Sequence, residues 1–136
     1  MPSIIPYLTV KNIASSVHFY QKVFGFQISQ IGHDDDVPIY AEMRNKDIVI
    51  MFCPELSSGT NQKSPATLGI SMPISLYMYC ENVDDLYKKS IHYGAKSKSP
   101  PYNSSWGDRV CTIVDIDGYE WSFATHIYQE HGVTIH

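Results

Sequence analysis

Six histidines, three cysteines and fourteen acidic residues are the groups through which this chain could do metal or acid–base chemistry. Their spacing argues against most of it. His131 and His136 belong to the C-terminal tail, and His18 and His92 fall in segments that read as outer-layer helices. His33 precedes Asp34, Asp35 and Asp36, but consecutive acids on a regular element cannot all face one ion, and no EF-hand spacing follows. That run reads as a solvated loop. Cys53, Cys80 and Cys111 show no CxxC spacing and sit in apolar stretches, so they read as reduced, buried thiols whose reactivity burial suppresses. No nucleophile elbow, phosphate-cradling glycine loop or HExxH is present. His126 closes the last strand-like run, and as a general base it would need a partner within hydrogen-bond reach.

The bulk numbers narrow the partners. With 136 residues, 43% of them hydrophobic and 18% charged, the chain is long enough for one compact core or two small modules. A net charge of -4 and a pI near 5.8 argue against a nucleic-acid partner, which normally demands a basic face. The opening MPSIIPYLTV has neither the basic start nor the apolar run of a secretory signal. No segment approaches the roughly 18 apolar residues needed to span a bilayer. The expected setting is cytoplasmic, without a membrane partner.

The elements that must position any site are written twice. Ile5–Val10 has strand composition, Asn12 is a candidate helix cap, and Ile13, Val17, Tyr20, Val23 and Phe24 recur at helical spacing before the stop at Gly25. Ile74–Cys80 is again a strand, with Asn82 as cap, a stripe of Val83, Leu86, Tyr87 and Ile91, and a stop at Gly94. FQISQI, VPIYAEM and IVIMFC follow the first helix. After the second come a Pro-rich connection, RVCTIVD, an Asp117–Gly118 turn and YEWSFAT. Each half therefore reads as β-α-β-β-β, although the Ser-Pro punctuation between Ala95 and Pro101 leaves a loop open in place of the second half's middle strand. Residues 54–73, rich in Ser, Gly and Pro and without periodicity, read as a surface linker.

Two segments carry a resemblance. PYLTVKNIASSVHFYQKVFGF is similar to the opening strand and helix of glyoxalase and bleomycin-resistance proteins. WGDRVCTIVDIDGYEWSFATH resembles the closing hairpin of their PhnB-like branch, with its Trp-Gly-Asp-Arg, Asp-x-x-Gly turn and Thr-His ending. The chain thus resembles the vicinal-oxygen-chelate superfamily, which also includes extradiol dioxygenases, over nearly its whole length. The resemblance implies an α+β fold in one domain, 1–136: two βαβββ modules, 1–53 and 74–128, joined by the linker 54–73, whose strands curl into a cup-shaped, partly closed mixed sheet with helices outside. Homodimers are common among such proteins, and one is expected here.

Metal-using relatives place ligands on the opening and closing strands of both modules. Carried over, those positions fall at Ile5 and Met51, and at Ser75 and Ser122. None is His, Glu or Gln, and a divalent cation needs several nitrogen or oxygen ligands. No metal or other cofactor is therefore expected. Strand alternation puts Tyr7 and Thr9 on the face of Ile5, Tyr77 and Tyr79 on that of Ser75, and Val49 and Cys53 beside Met51. Glu120 shares the face of Ser122 and is the nearby carboxylate, and Trp106 reads either as an edge of the pocket or as a core or dimer-contact residue. Arg109 reads either as a partner for an anionic ligand or as bridged to Asp108 and the turn carboxylates. Tyr7, Met51, Ser75, Tyr77, Trp106, Glu120 and Ser122 are the expected ligand-binding residues of a metal-free site for a small aromatic or apolar molecule, as in bleomycin-resistance relatives. The alternative is a metal-dependent lyase, isomerase or dioxygenase of the glyoxalase type, so enzyme or not stays open.

Overall fold

The structure, a computed structural model, describes residues 2–55 and 61–127. The chain divides into two compact units, Met1–Ile70 and Ser71–His136. The first contains β1 (Tyr7–Val10), α1 (Ile13–Val23), β2 (Gln27–Asp34), β3 (Val37–Asn45), β4 (Ile48–Pro54) and a one-turn helix α2 (Pro65–Leu68). The second contains β5 (Leu76–Tyr79), α3 (Val83–His92), β6 (Lys96–Asn103), β7 (Asp108–Val114) and β8 (Glu120–His126). The sheet orders are β1-β4-β3-β2 and β5-β8-β7-β6. In each, the opening strand runs parallel to the closing strand and the other pairs are antiparallel. The fold is α+β, in two four-stranded mixed sheets.

The same local chemistry starts both long helices. Asn12 accepts a hydrogen bond from the Ser15 N–H at 2.9 Å, and Asn82 accepts one from the Asp85 N–H at 3.1 Å. Each side chain satisfies a backbone donor that the first helical turn leaves without an intrahelical partner. Gly25 and Gly94, with φ of 75° and 107°, take the left-handed conformation that turns the chain out of each helix. Period-2 alternation then sorts the strands. Leu8, Val10, Ala41, Met43, Ile50 and Phe52 are buried in the first unit, where Tyr20 of α1 meets Phe52 edge-to-face at 5.0 Å. Cys111, Ile113, Trp121 and Phe123 are buried in the second sheet, and α3 packs against its β6, β7 and β8.

Two segments differ from, or decide between, the expectations above. The stretch after Ala95 is a strand, not a loop, in spite of Pro100 and Pro101. Its place at the sheet edge explains this, because an edge strand can lose ladder donors on its open side. The pairing of β6 with β7 accordingly slips between Ser99 and Tyr102. The segment read as a linker without structure of its own carries α2. Ser64 caps it by accepting from the Thr67 N–H at 3.3 Å, and Pro65 occupies the first turn, where a missing N–H costs nothing. Among the described residues, no helix is long and apolar enough to cross a membrane.

Candidate functional site

In the second unit, the face of the sheet opposite α3 gathers two tyrosines, a tryptophan and a histidine around one carboxylate. The β5–β8 register sets Tyr77 opposite Ser122 and Tyr79 opposite Ala124, while the β7–β8 hairpin sets Asp108 opposite His126 and Thr112 opposite Ser122. These side chains share one face, and Arg109, Cys111, Phe123 and Thr125 alternate onto the other.

Asp108 is the centre of that face. Its side chain is fully buried, yet the Tyr77 and Tyr79 hydroxyls both donate to its Oδ2, at 2.7 and 2.9 Å. His126 Nδ1 lies 3.2 Å from Oδ1, and the imidazole stacks on the Tyr79 ring with centroids 4.1 Å apart and planes 20° from parallel. Trp106 donates its indole N–H to the Tyr77 oxygen at 3.3 Å. The loop before β7 is pinned from below, with the Asp108 N–H donating to Ser104 Oγ at 3.1 Å. Buried charge is tolerated where hydrogen bonds replace water, and here two phenols and an imidazole do so. The rings themselves stay accessible: Tyr77, Tyr79 and Trp106 are 45%, 41% and 41% exposed.

Burial, and then the hydrogen bond to Asp108, push the Tyr77 hydroxyl up to about 12, partly offset by the Trp106 donor. Tyr79 is raised for the same two reasons. Between the ordinary value of 10.0 and about 12, the unfolded phenol ionises while the folded one keeps its proton, which favours unfolding, so this stability is complete below 10.0 and is lost as pH rises toward about 12. Tyr77→Phe is therefore expected to flatten the alkaline limb of stability over that window, as followed by urea unfolding. An unchanged limb would mean that Asp108 does not hold this proton.

The expected residues distribute unevenly. Ser75, Tyr77, Glu120 and Ser122 lie on this face of the second unit and Trp106 at its edge, while Tyr7 and Met51 are opposite one another in the first. Ser122 Oγ is 3.1 Å from Ser75 Oγ and 2.9 Å from Thr112 Oγ1, a chain of three neutral hydroxyls. Glu120 shares the face of Ser122, but the carboxylate among the aromatic rings is Asp108. Glu120 is paired with Lys98. Arg109 turns to the other face and clasps Asp84 of α3 through Nε and Nη2 at 2.8 and 2.9 Å, so it bridges neither Asp108 nor the turn. That pair holds the Asp84 carboxyl below its usual range. A recess of about 100 Å³ lined by Glu81, Asn82, Arg109, Thr125 and Ile127 also lies on the α3 side, filled at its edge by this ion pair and away from the rings.

In the first unit, Thr9 Oγ1 lies 3.5 Å from Cys53 Sγ and donates to Gln62 Oε1 at 3.3 Å. Burial, with Cys53 and Tyr40 alongside, raises the Tyr7 hydroxyl. All three cysteines are free thiols, and burial pushes Cys111 up to about 11 and raises Cys80. Among the described residues, no group of three or more His, Cys, Asp or Glu side chains is placed to share an ion.

Residues 4–123 match the model of the Glyoxalase/Bleomycin resistance protein/Dioxygenase superfamily. The chain belongs to this family. An uncharacterized protein of Mycobacterium bovis is 26% identical over 125 residues, covering 89% of this chain and 81% of that one. Among solved structures, a PhnB protein from Bacillus cereus superposes with a TM-score of 0.69 at 18% identity, covering 91% of this chain and 99% of its own. The fosfomycin resistance protein FosX from Listeria monocytogenes, solved as a mutant with Mn(II) and 1S,2S-dihydroxypropylphosphonic acid, gives 0.70 at 14% identity, covering 91% and 90%. At such identities the two structures speak for the glyoxalase-family fold alone.

Proposed function

We propose that this glyoxalase-family chain binds a small planar aromatic molecule without a metal ion, on the Tyr77–Tyr79–Trp106–His126 face of its second unit. The observation that carries the reading is the fully buried Asp108 carboxylate, which holds two half-exposed phenols and an imidazole in fixed positions. Rings held by buried hydrogen bonds lose little freedom when a flat ligand stacks on them, which is the usual advantage of a preorganised site. The donor set supports metal independence. Where metal-using relatives carry ligands, this chain offers an aliphatic side chain at Ile5, a thioether at Met51, and at Ser75 and Ser122 two hydroxyls hydrogen-bonded to one another. Such atoms do not fit a divalent cation. In the cell we expect a small-molecule partner and a homodimer in the cytoplasm.

A second reading has one observation in its favour. An imidazole whose Nδ1 is oriented by a buried carboxylate is arranged as a general base, so a bound compound could also lose a proton to His126. One experiment addresses both readings. A library of planar heteroaromatic compounds is screened by thermal shift with and without a chelator, and bound compounds are recovered and weighed by mass spectrometry. Stabilisation that survives the chelator, with ligand recovered unchanged, is the expected result. Chemically altered ligand would favour the base. Stabilisation that vanishes on chelation and returns with manganese would remove the metal-free reading.

A further inference from the structure

We infer that this face selects planar organic cations over neutral rings of the same shape. The inference rests on the binding face described above and adds the charge of its ligand.

The electrostatics of the face run one way. Asp108 places a fully buried carboxylate beneath the rings. Both phenol protons point inward to it, the Tyr77 oxygen also accepts from the Trp106 indole N–H, and the exposed ring faces turn their negative quadrupoles outward. Tyr77 and Tyr79 meet edge-to-face at 5.6 Å, which leaves differently oriented ring surfaces around one carboxylate. The nearby basic side chains are committed elsewhere. Lys98 is held by Glu120, and Arg109 is clasped by Asp84 on the opposite face of the sheet. On the face itself the positive counterpart of Asp108 is the imidazole of His126, which is charged only when protonated and is 48% exposed.

A guest arriving on this surface therefore meets negative ring faces with a buried carboxylate behind them. A neutral aromatic ring gains stacking and area burial alone. A planar cation of equal size gains the same area, cation–π attraction to Tyr77, Tyr79 and Trp106, and the field of Asp108 through a low-dielectric layer. The existing stack of His126 on Tyr79 has the geometry that such a ring would adopt. An anionic ligand is disfavoured by the same terms.

The test uses quinoline and N-methylquinolinium, two rings of nearly one shape, in a buffer where quinoline is unprotonated. Affinities are measured by titration calorimetry on the full chain, and location by quenching of Trp106, since Trp121 is only 2% exposed. The expected result is roughly tenfold tighter binding of the cation, within the range of cation–π and partly buried charge effects. Asp108→Asn should bring the two affinities together, whereas Asp85→Asn, exposed on α3 across the sheet from this face, should leave the ratio intact and so exclude a mere effect of net charge. If Asp108→Asn fails to fold, His126→Lys serves instead. It sets a permanent cation against the carboxylate from a half-exposed position and should abolish the preference while quinoline still binds. Equal affinities on the native chain, or a preference that survives the folded Asp108→Asn or His126→Lys variant, overturn the cation inference and leave the aromatic site standing. Failure of both rings to bind removes the site itself.

Discussion

Phe52→Ala is expected to cost the first unit about 3–5 kcal/mol, the usual range for deleting a buried phenyl ring. Phe52 is fully buried on β4, paired between Leu8 of β1 and Ala41 of β3, and its ring takes the edge-to-face contact with Tyr20 of α1. Tyr20 also meets Phe24 at 4.9 Å and Phe26 at 6.0 Å, so the cavity would open inside an aromatic cluster that cannot easily collapse into it. Domains of this size are stable by roughly 5–15 kcal/mol, so the loss is a large share of the total. Urea unfolding should show a lowered midpoint with the slope retained. Ile39→Ala, 43% exposed on β3, should shift stability by less than about 0.5 kcal/mol and serves as the reference. A Phe52→Ala loss below about 1 kcal/mol would mean that helix and sheet do not meet through this ring.

The second large effect is expected at Asp108. Asp108→Ala removes the shared acceptor of two phenols and the carboxylate facing His126, and should destabilise the second unit by about 2–3 kcal/mol. The loss stays below the range of about 3–5 kcal/mol for an uncompensated buried charge, because the groups left behind are half-exposed and can turn to water. Tyr77→Phe and Tyr79→Phe each delete one donor and should cost about 1 kcal/mol or less. The ordering separates causes. If the two phenylalanine variants cost as much as Asp108→Ala, ring packing and not the buried carboxylate would organise the face. Chemical denaturation of the three variants decides this, and near-ultraviolet circular dichroism reports whether the tyrosines lose their fixed setting.

Much of the architecture was legible because local and long-range signals agree in it. Asn12 and Asn82 each precede an apolar helical stripe and each is followed by a glycine stop, so cap, periodicity and stop all report the same element. The Asp117–Gly118 turn likewise marks the β7–β8 hairpin. The signals conflict in β6, where Pro100 and Pro101 speak against a strand and only an edge position, a property of the sheet and not of the segment, admits them. The α2 turn is too short for periodicity to register, and its Ser64–Pro65 start and Gly69 stop were the signals available.

The site was legible in part. Of the proposed face, Tyr77 and Trp106 were picked out by alternation and position, but Asp108, to which Tyr77 donates, was passed over. Asp108 stands next to Arg109, and adjacent opposite charges invite a pairing that a strand forbids, since neighbours point to opposite faces. Counting outward from the Asp117–Gly118 turn along an unbroken antiparallel ladder places Asp108 opposite His126, and that count would have supplied the partner His126 lacked. The pairing of Lys98 with Glu120 depends on β6 being a strand, the element the sequence left undecided.

The prolines that made β6 hard to read also change how the molecule can meet others. Each sheet has one four-residue outer strand and one of eight, and the long ones are β6 and β2. Pro100 and Pro101 deprive β6 of two amide hydrogens, whereas QISQIGHD in β2 keeps all of its own. Lateral strand addition, whether ordered augmentation or the first step of aggregation, is thus biased toward the first unit's β2 margin, and gatekeeping mutations against fibril growth belong there.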